Sequence, residues 1–360
     1  MSPNLTLSLD QLYRPQPGGI GTYVRGLIQG LITLADSEWR VQGLAPKGAL
    51  PHDVAQLPLR VMSAPLSVGA LTMVWRYWPL GVARDADIVH ATSMAGPFGG
   101  GRPQAIRSVA MHDLLWRDEP NASTRSGVRF HDQRLRLIQT HEGLRVLTSS
   151  PNLKNRLIEL GFAPSRIHPV RLGVDDDGIE PAPRAEVTDF LARHGVKGPF
   201  TLYAGTREPR KNLERLVAAH RQALHHSGEL GPLVLAGPAG WGEVPTGDAL
   251  TVGLVARSLL KGLYRDAQVF AYVPRAEGWG LPPVEALHEG TRVVASRSTP
   301  SVDRNDEVVL VDPLDVDSIA QGLLDALALD GGPEARLRRR SSVSELTWRN
   351  AALDHVAAWR

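Results

Sequence analysis

The chain contains no cysteine. Disulfides, thiolate-bound metals and cysteine nucleophiles are therefore excluded together, and a reducing cytoplasm is the expected setting. It has no run of about eighteen apolar residues, so no membrane-spanning helix is expected. Met1-Ser2-Pro3-Asn4 does not lead from a basic stretch into an apolar one, so no secretory signal is expected there. The triplets Asn4-Leu5-Thr6 and Asn121-Ala122-Ser123 then read as chance matches to a glycosylation acceptor. There is little excess charge of either sign: Lys and Arg total 40 against 38 Asp and Glu, a formal net charge of +2. With a pI near 9.0 the chain is mildly basic, which does not by itself indicate a nucleic-acid partner.

What is present is globular. The 360 residues are 42% hydrophobic and 22% charged, enough for two domains of ordinary size. Short apolar strands alternate with helical stretches. In the first half the strands are Leu5 to Leu9, Asp87 to Ala91, Arg107 to Met111 and Arg145 to Thr148. The helices there are Thr22 to Leu34 and Pro151 to Leu160, the second capped by Ser150. An acidic, proline-rich stretch from Asp175 to Pro183 reads as a linker. The alternation then restarts with strands Phe200 to Ala204, Leu233 to Ala236, Val269 to Val273 and Arg292 to Ala295. The helices between them are Leu213 to His225, Leu259 to Asp266 and Val284 to Glu289. Such alternation specifies parallel βαβ units, and in doubly wound sheets ligands bind at the carboxyl ends of strands.

Four segments at strand ends carry chemistry. The first is Glu277-Gly278-Trp279-Gly280-Leu281-Pro282-Pro283-Val284-Glu285. A glycine-rich loop here runs into prolines suited to a first helical turn. Its free N–H groups and two carboxylates can bind phosphate or hydroxyl oxygens; a plain helix start with a favourably placed glutamate is the bland alternative. The second, Tyr203-Ala204-Gly205-Thr206-Arg207-Glu208-Pro209-Arg210-Lys211-Asn212-Leu213, puts three cations within five residues of a strand-to-helix turn. These can stabilise a departing diphosphate, or form an ordinary solvated turn. The third, Gly18-Gly19-Ile20-Gly21-Thr22, lets a backbone approach a ligand closely. It does not fit a dinucleotide fingerprint: counted from Gly19, the sixth position is Val24. The fourth is His112 in Met111-His112-Asp113, where Asp113 can orient the ring.

The nine residues from Glu277 to Glu285 resemble the E-x7-E motif of retaining GT-B glycosyltransferases of family 4. The likeness continues through Ala286 to Ser296 and Val311-Asp312-Pro313-Leu314-Asp315. Looser likeness covers Thr148-Ser149-Ser150, the turn Arg171-Leu172-Gly173-Val174-Asp175, and Leu346-Thr347-Trp348-Arg349. The resemblance implies two facing Rossmann-like domains, with residues 1–178 binding the acceptor and 184–345 the nucleotide-sugar donor. A helix in 346–360 would pack back on the first domain. It further implies that Glu285 holds the ribose, that Glu277 contacts the transferred sugar with the Gly278, Trp279, Gly280 and Leu281 amides, and that Lys211 meets the diphosphate. His112 would contact the donor sugar, and the loop at Gly19 would lie over the phosphates. The family usually has an arginine directly after the glycine. Thr206 stands there in this chain, and Arg207 or Arg210 takes its role.

The activity implied is a metal-independent, retaining hexosyl transfer without a cofactor, best matched by mannosyl transfer from GDP-mannose to a glycan or lipid-linked acceptor. A nucleotide-sugar 2-epimerase, a non-catalytic nucleotide-sugar-binding module and a nicotinamide-dependent oxidoreductase are the alternatives, the last disfavoured by the fingerprint. Asp85-Ala86-Asp87 mimics the metal-binding Asp-x-Asp of the other glycosyltransferase fold but reads as a strand cap. Trp75, Arg76, Tyr77 and Trp78 read as packing, with an acceptor platform as the sharper option. Arg125, Arg129, Arg134 and Arg136, interleaved with Val128, Phe130, Leu135 and Leu137, read as a solvated helix face. The sharper option there is peripheral contact with an anionic membrane at the cytoplasmic face.

Overall fold

Strands β1 Asn4–Ser8, β2 Arg40–Ala45, β3 Arg60–Ser63, β4 Ile88–Ala91, β5 Ile106–Met111, β6 Leu144–Thr148 and β7 Ile167–Pro169 form one sheet, in the order β3-β2-β1-β4-β5-β6-β7. Strands β8 Thr201–Ala204, β9 Leu233–Ala236, β10 Leu250–Gly253, β11 Val269–Tyr272, β12 Val293–Ser296 and β13 Val308–Val311 form the second, in the order β10-β9-β8-β11-β12-β13. All pairings are parallel. These come from a computed structural model that describes residues 3–34, 39–55, 59–119, 124–174, 178–240, 242 and 244–360. Central strands are apolar on both faces because helices cover both: every residue of β4, β8, β9 and β11 is buried. Strand order reverses beside β1 and β4 in one sheet and beside β8 and β11 in the other. That reversal opens a crevice at the carboxyl ends.

The two doubly wound halves are as the alternation specifies. The chain divides into Met1–Gly173 with Leu346–Arg360, and Val174–Glu345. The stretch read as a linker is partly built into the second unit. Lys261 Nζ donates to the Ile179 carbonyl at 2.7 Å and the Ala182 amide to the Ser258 carbonyl at 2.8 Å. Asp175–Asp177 lie outside the described residues, as does the triplet Asn121 to Ser123.

Three local expectations shift. Gly18 to Gly21 are not a loop ahead of the first helix but its first turn, the helix being Gly18–Leu34. Gly18 enters at φ +57°, and the Gly21 amide already bonds the Pro17 carbonyl at 3.0 Å. The helix after the glycine loop is Leu281–His288, so Pro282 and Pro283 occupy its first turn. The strands β2, β3, β7, β10 and β13 have no counterpart in the sequence reading. Apart from β2 they are short and only partly buried; the apolar signal is weak in β3 and β7, whereas β13, Val308-Val309-Leu310-Val311, carried a clear one.

The last helix, Trp348–Trp359, is capped by Thr347, whose side chain accepts from the Asn350 amide. It packs on Gly18–Leu34 across a glycine track. A Cβ at Gly26 would lie 2.0 Å from the Trp348 ring, and one at Gly30 would lie 2.1 Å from the Trp348 carbonyl oxygen. Only glycine permits that approach.

Candidate active site

In the second unit the residues after β8 and β11 meet at the strand-order reversal. The loop after β8 turns through Pro209–Lys211 and ends at Asn212, which has a left-handed φ of 62°. Asn212 tolerates that conformation because its amide is fully used: Nδ2 donates to the Val273 carbonyl at 3.0 Å and the Pro313 carbonyl at 2.7 Å. This ties the loop after β8 to the end of β11 and presents Lys211 beside Glu277.

Glu277 Oε2 accepts from three donors: Lys211 Nζ at 2.5 Å, the Tyr272 hydroxyl at 2.6 Å and Arg210 Nη1 at 3.2 Å. Its other oxygen faces the Gly278 amide at 3.3 Å. Lys211 is 7% exposed and also donates to the Tyr272 hydroxyl. Arg210 Nε in turn bonds Glu208 at 2.9 Å. Burial alone would raise the Glu277 pKa, but the charges of Lys211 and Arg210 outweigh it and hold the group at about 2. Burial lowers the Lys211 pKa, opposed by Glu277. The cluster is thus a buried, charged carboxylate held under two cations. Lys211 spends two ammonium N–H groups inside it and has a third for an outside acceptor.

Glu285, on the helix after the glycine loop, has both oxygens anchored: Arg257 Nη1 donates to Oε1 at 2.8 Å and the Tyr264 hydroxyl to Oε2 at 2.9 Å. Each oxygen retains a lone pair for a ligand hydroxyl. In the loop, Gly280 adopts φ +98°, and a Cβ there would lie 2.5 Å from Thr299, so only glycine fits. Among the described residues the Trp279 indole N–H and Arg207 Nε are buried without an acceptor. Both are donors on the two loops that flank the crevice.

The structure brings Lys211, Arg210, Glu277 and Gly278 together. It does not bond Arg207 to them: the Arg207 backbone pairs instead with the Pro238 carbonyl and the Gly240 amide, both at 3.1 Å. Leu281 opens the helix that carries Glu285. Tyr272, Glu208, Arg257 and Tyr264 were missed from the sequence. Arg257 and Tyr264 had a signal, being seven residues and so about two helical turns apart, on one face. Tyr272 had only its place as a polar aromatic ending a buried strand.

In the first unit, His112 follows β5 and donates from Nε2 to the Thr92 carbonyl at 2.9 Å. Asp113 does not orient the ring as expected: its Oδ1 accepts from the Leu115 amide at 3.1 Å, starting the next helical turn. The Tyr23 ring lies edge-on to His112, centroids 4.8 Å apart. Burial lowers the His112 pKa against the opposing Thr92 bond and Asp113 charge. Gly19 is exposed in the first turn of its helix, with open space around its Cβ position.

The features set aside resolve as follows. Asp87 Oδ2 accepts the Asn4 amide at 2.8 Å and Asp85 Oδ2 the Asn4 side chain at 3.0 Å, at the amino end of the sheet, away from the ligand end. No group of three or more metal-ligating side chains occurs among the described residues. Trp75 is core, whereas Tyr77 and Trp78 are 76% and 74% exposed. The basic helix Arg125–Thr140 turns most of its apolar residues inward: Leu135 is buried, and Val128 and Leu137 pack on the core, while Phe130 is half-buried against the His131 ring. Arg134 is 1% exposed and donates to the Met94, Trp75 and Gly96 carbonyls, so only Arg125, Arg129 and Arg136 remain on the exposed face.

Comparison with known proteins gives these likenesses. The family model for a "Glycosyl transferase 4-like domain" matches residues 18–173, and that for "Glycosyl transferases group 1" matches residues 198–328. The O-antigen chain mannosyltransferase B of Escherichia coli is 30% identical over 271 residues, covering 70% of this chain and 69% of that protein. Sucrose-phosphate synthase from Thermosynechococcus elongatus superposes with a TM-score of 0.72 at 19% identity, over 100% of this chain and 98% of the other. HepE of Anabaena, in complex with UDP and glucose, gives 0.69 at 15% identity over 99% of each chain. At these identities the solved structures speak to the fold.

Proposed function

This chain belongs to the group 1 glycosyltransferases and has their GT-B fold, and from that premise we propose that it transfers a mannosyl unit from GDP-mannose, with retention and without a metal, to a glycan or lipid-linked hydroxyl. The observation that carries the reading is the buried Lys211–Glu277–Arg210 cluster at the strand-order reversal. As the glycosidic bond breaks, negative charge grows on the departing diphosphate. Lys211 supplies its remaining N–H to that charge, and Arg210 adds a second cation held by Glu208 and Glu277. Preorganised charge of this kind acts on the transition state because it needs no reorganisation as the charge develops. The role a divalent ion would fill is taken by side chains and helix-start amides.

Glu277 stays ionised over the working pH range. Its oxygen toward Gly278 accepts a hydroxyl of the transferred sugar, while Glu285, fixed by Arg257 and Tyr264, accepts the ribose hydroxyls. The Trp279 indole N–H and Arg207 Nε, without acceptors among the described residues, bond oxygens of the donor substrate. The acceptor hydroxyl attacks from the face the diphosphate leaves, and the departing phosphate oxygen takes its proton, so the protein's part is placement and charge. The nucleotide-sugar class follows from the family and is supported by HepE, whose structure holds UDP and glucose. The mannosyl choice is supported by the O-antigen chain mannosyltransferase B. The exposed Arg125, Arg129 and Arg136 provide for peripheral contact with an anionic membrane.

A thermal-shift panel of GDP-, UDP-, dTDP- and ADP-sugars tests the donor, since a ligand bound only to the native state raises its melting temperature. GDP-mannose is expected to give the largest rise. A rise with UDP-glucose alone would overturn the mannosyl assignment. Interconversion of two donor sugars with no acceptor present would mark a 2-epimerase instead.

A further inference from the structure

A buried hydrogen-bond chain lies behind His112, and its direction can be read from its two ends. The Trp359 indole can only donate, and it donates to Ser108 Oγ at 2.9 Å. At the other end His355 Nδ1 lies 2.7 Å from the Ala351 carbonyl, which can only accept. With the ring neutral, Nδ1 carries the proton and Nε2 must accept. The Tyr23 hydroxyl, 2.8 Å from that Nε2, is therefore the donor. Its oxygen then accepts from His90 Nε2 at 2.8 Å. His90 Nδ1 is left to accept the Ser108 hydroxyl proton at 2.8 Å. The bonds run one way, from Trp359 through Ser108, His90, Tyr23 and His355 to Ala351. Both ends lie on the last helix, and the middle passes through β5, β4 and the first helix.

Tyr23 is the link that reaches the candidate site. Its hydroxyl is pinned between two imidazoles, so its ring cannot shift, and that ring edge packs on His112. Among the described residues His112 itself has one side-chain bond, to the Thr92 carbonyl. That bond places the proton on Nε2 and leaves Nδ1 as the acceptor. We propose that Tyr23, held by His90 and His355, is a positioning residue that sets the His112 imidazole for the transfer reaction, so that docking of the C-terminal helix is read out at the site. This rests on His112 acting in the proposed transferase site. The alternative is a chain that stabilises the fold and nothing more.

Tyr23→Phe separates the two. It keeps the ring against His112 but leaves the His90 Nε2 proton without an acceptor and His355 Nε2 without a donor, freeing the ring to move. Leu27→Ala is the control: it is fully buried on the same helix and outside the chain of bonds, so it lowers stability only. Two readouts are needed. Histidine-selective ¹⁵N NMR of the substrate-free protein follows the His112 ring nitrogens through a pH titration. In Tyr23→Phe the His112 resonances and titration midpoint should move, and in Leu27→Ala they should stay. With GDP-mannose as donor, kcat should fall about tenfold in Tyr23→Phe at unchanged donor KM, the scale of lost placement, while Leu27→Ala keeps its kcat below its melting temperature. Unmoved His112 resonances in Tyr23→Phe, with kcat tracking stability in both variants, would overturn the proposal. If the unsubstituted protein transfers no sugar yet His112 responds to Tyr23→Phe alone, the positioning stands and the transferase reading fails.

Discussion

At the residue scale the proposed reaction leans most on a single ammonium group. Lys211 is held by Glu277 and Tyr272 with one N–H in reserve. Lys211→Ala removes a charge from where the diphosphate charge is proposed to develop, and turnover should fall by about a hundredfold. Steady-state kinetics checks this; near-normal turnover would remove Lys211 from the site. Glu285 carries a different load. Its proposed ligand is the unreacting part of the donor, so Glu285→Ala should weaken donor binding by about 1.5–3 kcal/mol, the scale of a charge-assisted hydrogen bond. Calorimetry with the donor would show unchanged affinity if the ribose assignment is wrong. The signals behind these two residues were visible in the sequence as residue types at strand ends. Their anchors, Tyr272, Arg257 and Tyr264, were not, because a tyrosine in an apolar run looks like any core aromatic until its hydroxyl is located.

At the scale of elements, the last helix is joined to the first by glycines and by buried histidines. Burial lowers the His90 pKa well below its ordinary value of 6.5, aided by His355 and His112. Burial lowers His355 to about 4, opposed by its bond to Ala351 and by Asp354. The unfolded chain binds protons below pH 6.5 that these rings refuse when folded. Stability from them is therefore full above that pH and is lost as pH falls toward 4, by on the order of 3 kcal/mol for His355. Glu277 behaves differently: its depressed pKa costs stability only below its unfolded value of 4.5. Urea midpoints should thus already decline between pH 6.5 and 5, and the decline should be shallower in His355→Gln. An identical slope in that variant would show that other groups cause it. The helix itself was legible from Thr347 and Trp348. The glycines that receive it, Gly26 and Gly30, gave no such signal, since a glycine inside a helix carries no record of what presses against it.

For the whole molecule, the balance of charge makes two further expectations. Activity should survive EDTA if, as proposed, basic side chains and helix-start amides take the charge role at the leaving group. An assay that stopped with chelator and resumed with manganese or magnesium would contradict the mechanism. No helix among the described residues is long and apolar enough to cross a membrane. The basic helix offers a bilayer chiefly the charges of Arg125, Arg129 and Arg136, each contributing roughly 1 kcal/mol near anionic lipid, with Phe130 half-buried beside them. Co-sedimentation should therefore show binding to anionic vesicles at low salt and none at high salt or with neutral lipid. Salt-resistant binding would mean an apolar contact elsewhere.

The sequence by itself determined the two doubly wound halves, because strands buried on both faces must read as short apolar runs between helices. It also singled out the loops proposed to carry the chemistry, because ligand-binding residues in such sheets follow strand ends, and Glu277, Lys211 and His112 all do. Only the tertiary structure decided which groups touch. Arg210 rather than Arg207 joins Glu277, since Asn212 turns the loop after β8 toward the end of β11. Arg134 left the surface for three buried carbonyls; at about 100° per residue it stands on the opposite side of its helix from Arg125, Arg129 and Arg136, a split overlooked in reading the four arginines as one solvated face. The chain from Trp359 to Ala351 joins positions hundreds of residues apart, and hydrogen-bond direction exists only once donors and acceptors have been brought within reach.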